Sequence, residues 1–413
     1  MDTAAQSAGV VTFDAASERV LDYARRLLDR PKQTEELTLL QALGRVLAQP
    51  IAADRDFPPF PRATRDGYAL RVADLKQDGS TQLRIVGQVK AGDSYDLPVA
   101  PGEAVEIMTG AAVPPGADAV VMVEHTGRGD SEDQVQIQRA VSPRENIVPA
   151  GAEAKAGQEL LSRGTRMGPA QIAMAAAAGA ARLKVFARPR IAILSTGDEL
   201  VEVAETPGPS QIRNSNSYSL AALVMAAGGE PVQLPIAPDQ EQKLTELVQQ
   251  GLKTDMLVLS GGVSMGKFDL VEKALGTLGA DFYFTGAMIQ PGKPVVFGAV
   301  SDTPFFGLPG NPVSVMVTFE LFARHLVEAL SGAKPARLRS ARARLKRDFK
   351  TKTGLTRFLP AVLQGGLEEQ EVEVVPWQGS GDMLAATRSN CYLVVPPDRE
   401  KLSEGEMATI ILR

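Results

Sequence analysis

The chain has 413 residues, 44% hydrophobic and 23% charged, which is the composition of an ordinary globular protein with more than one domain. Its 44 basic and 49 acidic side chains give a net charge of −5, which argues against nucleic acid as a partner. A single cysteine excludes an intramolecular disulfide, and the absence of a membrane-length apolar run or a signal-peptide pattern predicts a cytoplasmic protein without membrane contact.

Helical patterns come first along the chain. Apolar residues recur at helical spacing from Ser17 to Arg30, and Pro31 ends the pattern. Thr38 to Leu47 reads as a second short helix with Thr38 as its cap. An alanine-rich helix is predicted within Gly164 to Gly179.

Between these helices, short alternating segments from Leu83 to Val123 are separated by Gly and Pro turns, which predicts a small β module. The N-terminal region is therefore expected to span residues 12–188, with a helical part at 12–50 and 157–188 and an inserted β module at about 52–156.

The composition changes at Pro189, after which strands and helices alternate. Apolar strands are predicted at Arg190–Ser195, at 231–237 and at Met256–Ser260, with helices at Ser217–Ala227 and Glu241–Gly251 between them. This alternation predicts a doubly wound parallel sheet in a domain spanning 189–331.

Candidate functional residues follow the strands of this sheet. Glu199, Asp239 and the loop that contains Gly261, Gly262 and Ser264 all fall at predicted carboxyl ends, where such sheets bind ligands. Glycine allows the backbone N–H groups to approach a phosphate closely. Asp269, near the start of the next helix, either caps that helix or holds a metal. With only two histidines in the chain, the chemistry is expected to depend on carboxylates, lysine and backbone dipoles.

The sheet is expected to continue through Gly286–Gly298 and Pro304–Leu308. The turn from Pro309 to Ser314 then leads into a long helix, whose first N–H groups are free for an anion or a cap. A linker precedes a last segment of strand patterns, which predicts a small β domain at 335–413.

Six motifs in this order closely resemble the MoeA family of molybdopterin molybdenumtransferases, which includes the E domain of gephyrin. Each motif is weak alone, but their common order is specific, and the resemblance extends from about residue 12 to the C-terminus. The motifs are RDGYA at 65–69, IMTG at 107–110, STGDEL at 195–200, GGVSMG at 261–266, PGKP at 291–294 and GLPGNPVS at 307–314.

The resemblance implies a multidomain α/β fold with a central molybdopterin-binding domain. It implies that adenylylated molybdopterin and molybdate are converted to molybdenum cofactor and AMP with Mg²⁺, in a homodimer with the site in a cleft between subunits. Contact with the adenylyltransferase of the pathway is also expected.

The resemblance also assigns roles to individual residues. Glu199, Asp239 and Asp269 would hold the cation or the attacking water, and Asp66 and Thr109 would line the cleft across the dimer. Lys293 would hold molybdate or a phosphate. The residues expected to bind substrate are Gly261, Gly262, Ser264, Pro309, Asn311, Pro312 and Ser314. Helix capping remains the alternative for each carboxylate, and an exposed turn is the alternative for Lys293.

Three departures from the family pattern leave alternatives open. Gln290 stands where many members have lysine, Arg65 replaces a methionine, and Ala152 replaces an acidic residue. A tungstate-preferring paralogue or a non-catalytic pterin-binding scaffold would fit these changes. A single-domain adenylyltransferase of the MogA type is disfavoured by the additional N- and C-terminal regions.

Overall fold

The computed structural model describes residues 9–76, 80–262, 270–366 and 368–413. The N-terminal region begins with β1 (Val10–Val11), α1 (Phe13–Leu28), β2 (Thr34–Thr38) and β3 (Ile51–Ala52). The strands that follow are β4 (Arg62–Ala63), β5 (Gly67–Leu70), β6 (Thr81–Val89), β7 (Glu103–Ile107), β8 (Ala119–Met122), β9 (Thr126–Arg128), β10 (Gln134–Ile137), β11 (Ile147–Val148) and β12 (Glu159–Leu161). Helix α2 (Pro169–Ala177) and β13 (Arg182–Phe186) complete the region.

Helix α1 begins four residues before the predicted start. The Thr12 hydroxyl accepts a hydrogen bond from the Ala15 N–H at 3.3 Å and so caps the helix. The helix buries Val20, Tyr23 and Leu27 in the same core as the central sheet.

The prediction of a helix at Thr38–Leu47 is wrong. Thr38 ends β2, which pairs antiparallel with β13. The following turn passes through Gly44, whose φ is +76°, and the Gly44 N–H donates to the Met167 carbonyl at 2.7 Å. Apolar spacing suggested a helix here because the turn also places Ala42 and Leu47 in a core. The Gly44 and Leu47 N–H groups donate to the distant Met167 and Thr165 carbonyls, so the local turn cannot continue as a helix.

The inserted module contains a six-stranded sheet in the order β8-β5-β7-β6-β10-β9. Strand β5 lies between β7 and β8 and pairs antiparallel with both. The predicted β character of this segment is thus confirmed. The module places Asp66 immediately before β5 and Thr109 shortly after β7.

The central region forms a second six-stranded sheet. Its elements are β14 (Arg190–Ser195), β15 (Leu200–Val201), β16 (Ile212–Arg213), α3 (Ser215–Ala227), β17 (Glu230–Gln233), α4 (Glu241–Gly251), β18 (Met256–Ser260), α5 (Leu270–Thr277), β19 (Ala280–Phe284), β20 (Gly286–Ala287), β21 (Ile289–Gln290), β22 (Val296–Val300), β23 (Thr303–Leu308) and α6 (Pro312–Thr318). A π-helical segment, Phe319–Ala323, joins α6 to α7 (Arg324–Leu330).

The strand order in this sheet is β17-β14-β18-β23-β22-β19. The first four strands are parallel, as predicted, but β22 runs antiparallel to both of its neighbours. The two-residue connection between β22 and β23 explains the reversal, because a parallel pair needs a long crossover. Apolar residues cover both faces of the sheet, which forms part of two separate cores.

The predicted continuous sheet segment at Gly286–Gly298 is also corrected. Only β22 at its end belongs to the central sheet, because β20 pairs with β1 and β21 pairs with Thr356 and Arg357 of the C-terminal region. The C-terminal elements are β24 (Ser340–Leu345), β25 (Phe349–Lys350), β26 (Thr356–Gly365), β27 (Gln370–Val374), α8 (Met383–Thr387), β28 (Cys391–Val395), β29 (Lys401–Leu402) and β30 (Met407–Leu412). Across the described ranges, no helix has the length and apolar character needed to span a membrane.

Candidate functional site

A cleft of about 600 Å³ lies at the carboxyl ends of the parallel strands. Segments that follow β14, β17, β18 and β23 meet there, together with the start of α3. Strand order changes direction between β14 and β18, which is the position where open α/β sheets bind ligands. The cleft includes seven of the predicted site residues: Glu199, Asp239, Gly261, Gly262, Pro309, Asn311 and Pro312.

The two carboxylates on the cleft come from different strand ends. Glu199 is exposed in the loop after β14, and Asp239 is exposed in the loop after β17. The Asp198 carboxylate accepts a hydrogen bond from the Asp239 N–H at 3.0 Å and links the two loops. Thr196 also forms a parallel bridge with Ala237. These two contacts hold the loops together, while Glu199 and Asp239 line the cleft.

The glycine pair after β18 allows close backbone approach. Gly261 has a φ of +91° and Gly262 has a φ of +66°, values that residues with a side chain rarely adopt. A Cβ at Gly261 would lie 2.6 Å from the Thr196 carbonyl oxygen, and a Cβ at Gly262 would lie 2.7 Å from Val271 Cγ2. Gly261 and Gly262 can pack between these neighbours only because they lack side chains, and both line the cleft.

Asn216, which the sequence analysis did not identify, connects three elements of the site. Its Nδ2 donates to Ser260 Oγ at 2.9 Å and to the Gly310 carbonyl at 2.7 Å. The side chain thus holds the ends of β18 and β23 against the first turn of α3. The available signal was the Asn-Ser-Asn run at 214–216, in which Asn214 caps α3.

Several buried oxygens at this end of the sheet lack a hydrogen-bond partner within the described parts of the chain. They are Asn216 Oδ1, Thr196 Oγ1 and Ser195 Oγ. Buried polar atoms in folded proteins are nearly always paired, and the exceptions occur where a ligand, ion or water belongs. These three oxygens beside the carboxylates are therefore available for a hydrogen bond or for coordination of an ion.

The turn after β23 is partly occupied by the C-terminal region. Asn311 Nδ2 donates to Ser380 Oγ at 2.8 Å, and the Val313 N–H donates to the Ser380 carbonyl at 2.9 Å. The Ser380 carbonyl thus caps one N–H group at the start of α6, and a cap was one of the two predicted uses of these groups. Ser380 also fixes the position of Asn311 at the cleft.

Other predicted residues lie elsewhere. Ser314 is 3% exposed inside α6, and its carbonyl accepts from the Thr318 hydroxyl at 2.7 Å. Lys293 does not line the cleft, although the adjacent Pro294 does. Ser264 and Asp269 lie outside the described residues. The roles predicted for these four residues stay predictions.

Asp66 and Thr109 form a pair in the inserted module. The Thr109 N–H and hydroxyl donate to the same Asp66 carboxylate oxygen at 2.6 and 2.7 Å. These bonds, the backbone one first, hold the pKa of Asp66 below its usual range. Neither residue lines the cleft of its own chain.

The residues of the cleft suit a hard divalent cation. Mg²⁺ in proteins commonly binds one or two carboxylates and completes its coordination with water and substrate phosphates. Glu199 and Asp239 supply two carboxylates beside the unpaired Thr196 hydroxyl. Within the described residues there is no cluster of three or more His, Cys, Asp or Glu side chains. The cation would thus depend on substrate oxygens or on Asp269.

Comparison with known families agrees with this architecture. Residues 11–179 match the MoeA N-terminal region (domain I and II), residues 192–329 match a probable molybdopterin binding domain, and residues 342–412 match the MoeA C-terminal region (domain IV). The chain belongs to the MoeA family. The resemblance found in its sequence motifs is confirmed.

Relatives of this chain match it over nearly its whole length. A molybdopterin molybdenumtransferase from Nostoc sp. is 34% identical over 397 residues, 93% of this chain and 90% of that protein. One from Haemophilus influenzae is 33% identical over 407 residues, with 97% and 98% covered. The crystal structure of a molybdopterin biosynthesis MoeA protein from Pyrococcus horikoshii OT3 has a TM-score of 0.79 at 31% identity, covering 98% of this chain and 100% of that one.

The three departures from the MoeA pattern lie outside the cleft. Gln290 is exposed in β21, and Arg65 is exposed with its guanidinium donating to the Thr64 carbonyl at 3.4 Å. Ala152 precedes Glu153, whose carboxylate pairs with Arg62 at 2.9 Å. None of these residues changes the composition of the cleft in its own chain.

Proposed function

We propose that this chain is a molybdopterin molybdenumtransferase that inserts molybdate into adenylylated molybdopterin and releases AMP. The observation that carries the proposal is the convergence of Glu199, Asp239 and the Gly261–Gly262 loop on one cleft of about 600 Å³. These residues are distant in sequence, and a pterin joined to a pyrophosphate is of a size that such a cleft accommodates. The names of the curated relatives support the same activity.

Each part of the substrate has a matching part of the cleft. The pyrophosphate would lie on the Gly261–Gly262 loop, where no Cβ blocks the backbone. Asn216 and Asn311 would provide polar contacts, each held in place by hydrogen bonds to neighbouring elements. In the reaction, water breaks the phosphoanhydride bond, and molybdenum forms bonds to the two dithiolene sulfurs while one oxo ligand of molybdate leaves as water with the two thiol protons.

Glu199 and Asp239, with Asp269, would hold Mg²⁺. The cation would supply positive charge that neutralises the pyrophosphate oxygens. The carboxylates would also orient water, because both are exposed to the cleft and neither forms an ion pair with Lys or Arg among the described residues. Lys293 is proposed to hold the molybdate oxyanion or a phosphate.

The proposal includes a homodimer that acts in the cytoplasm, with Asp66 and Thr109 reaching the partner's cleft. Their location in the inserted module, away from the cleft of their own chain, is what supports a contribution across subunits. Contact with the adenylyltransferase that supplies the substrate follows from the same reaction sequence.

The test is AMP release from adenylylated molybdopterin by the purified chain with Mg²⁺, with molybdate and tungstate supplied in parallel. Release coupled to molybdate insertion supports the proposal. A preference for tungstate would identify a paralogue and direct attention to Gln290 and Arg65. Tight pterin binding without AMP release under either oxyanion would overturn the enzyme assignment in favour of a scaffold.

A further inference from the structure

A second cleft, of about 500 Å³, lies at the amino ends of the central strands, opposite the first cleft. Arg190, Asp255 and Thr303 line it at or just before the amino ends of β14, β18 and β23. The candidate active site follows the carboxyl ends of the same strands. Since a strand of five or six residues spans roughly 16–20 Å, the two clefts are separate.

The walls of this second cleft are strongly basic. They carry five cationic side chains and two carboxylates, a surplus of three positive charges in a chain whose net charge is −5. The cations are Arg30, Lys32, Arg188, Arg190 and Lys253. They come from the end of α1, the connection into β14 and the segment before β18, so the surplus is built by the fold and not by a run of basic sequence.

The two carboxylates are already engaged. Asp302 accepts from Arg30, both through its carbonyl at 2.6 Å and through its carboxylate at 3.5 Å. The Asp255 carboxylate accepts from the Arg190 backbone N–H at 2.7 Å.

Four of the five cationic side chains form no ion pair with a carboxylate across the described ranges. They are Lys32, Arg188, Arg190 and Lys253. The last three of these residues are exposed, so a ligand in solution can reach them.

Lys32 is a fixed positive charge in the same cleft. Its ammonium donates to the carbonyls of Leu27 at 2.5 Å, Leu28 at 3.1 Å and Arg30 at 3.3 Å, at the end of α1. Burial, and after it the charge of Arg163, lowers the pKa of Lys32. An anion placed in the cleft would offset the mutual repulsion of these cations.

We propose that this second cleft binds a small polyanion that carries at least two phosphate groups. Arginine guanidinium groups are suited to phosphate, because their donors form a planar fork that matches two phosphate oxygens. The charge surplus fits a pyrophosphate group, and the volume also admits a nucleotide. Such a ligand would connect α1 and the entry to β14 with the segments that lead into β18 and β23. This site is additional to the one proposed for catalysis.

The test is calorimetric titration of the full chain with pyrophosphate, ATP and adenosine. Pyrophosphate and ATP are expected to bind, more weakly as the salt concentration rises, and adenosine is not. Equal affinities for the two anions would show that phosphate groups alone are recognised, whereas tighter ATP binding would identify a nucleotide site. Absence of pyrophosphate binding to the wild-type chain would overturn the proposal.

Variants assign the binding to this cleft. The double variant Arg188→Gln, Lys253→Gln should weaken pyrophosphate binding about 25-fold, at about fivefold per lost ion pair. Arg188→Lys, which keeps the charge but loses the planar fork, should weaken binding less than the double variant does. Lys352→Gln, which removes an exposed cation in the C-terminal region, should retain the full affinity. Unchanged affinity in the double variant would contradict the proposal. AMP release at the first cleft should be unaffected by the double variant, so failure of one proposal is distinguishable from failure of the other.

Discussion

At the scale of single residues, Glu199 and Asp239 are the side chains on which the proposed chemistry depends most. They were predicted from sequence because both follow strands of a parallel sheet, where the fold directs ligands. Asn216 was not predicted, because its importance comes from the Gly310 carbonyl, 94 positions away in the chain. A contact of that range leaves no local pattern in the sequence.

Glu199→Gln and Asp239→Asn should each lower the rate of AMP release at least about 100-fold, since each removes a charge proposed to hold the cation and orient water. Both residues are exposed, so the melting temperature should change little. Glu202→Gln, an exposed carboxylate in the same loop region, is the matched control and should retain full activity. Near-normal turnover in both active-site variants would remove these residues from the mechanism.

Asn216→Ala should destabilise the fold by about 1–3 kcal/mol, because the buried Ser260 Oγ and the exposed Gly310 carbonyl lose a shared donor. Urea unfolding measures this change in the free energy of unfolding. Ser219→Ala, one turn further along α3, should cost less than about 0.5 kcal/mol, because its hydroxyl bonds only the helix's own backbone. Equal effects of the two variants would argue against the connecting role of Asn216.

The carboxyl of Asp66 should titrate below the ordinary value of about 3.9, because Thr109 donates two hydrogen bonds to its ionised form. Thr109→Val removes only the hydroxyl bond and should raise the pKa part of the way back. With the folded-state pKa depressed, the stabilising contribution is present above the unfolded-state pKa and is lost as the pH falls through the folded-state pKa. Carboxyl-carbon NMR titration measures both values, and an identical pKa in the two proteins would contradict the assignment.

At the scale of elements, the glycine loop after β18 and the strand order determine the site. The loop was predicted from its composition, and the parallel strands were predicted from their alternation with helices. The false helix at Thr38–Leu47 was not foreseen, because this segment depends on contacts with distant parts of the chain. The reversed β22 was missed although its two-residue connection to β23 is a local signal. The predicted domain boundaries at residues 188 and 331 stay predictions. Two strand pairs join the regions on either side of them, β1 with β20 and β21 with β26.

Gly262→Ala should destabilise the protein by about 1–3 kcal/mol and impair turnover, since it places a Cβ at a positive φ and close to Val271. Gly276→Ala in α5 is the control. No atom lies within 4 Å of its Cβ position, so that variant should be stabilised by about 0.5–1 kcal/mol. Thermal and urea unfolding compare the two. A tolerated Gly262→Ala would show that the loop has space that the structure does not indicate.

At the scale of the whole molecule, the proposal depends on two subunits sharing each site. Equimolar mixing of Asp66→Ala and Glu199→Gln chains after co-refolding should restore about a quarter of wild-type turnover, because half of the dimers are mixed and each of these has one intact site. Each variant alone should be inactive. Mixed dimers that form but stay inactive would place Asp66 outside the partner's cleft.

A single-turnover assay with adenylylated molybdopterin, Mg²⁺ and molybdate tests whether Glu199 acts in molybdenum insertion by this chain. It follows AMP and molybdenum-bound pterin together. We expect the two products to appear at the same rate in the wild-type chain and neither to appear with Glu199→Gln. AMP and cofactor formed by Glu199→Gln at the wild-type rate would exclude the proposed role of Glu199, and a wild-type chain that binds the substrate and releases neither product would exclude the proposed reaction.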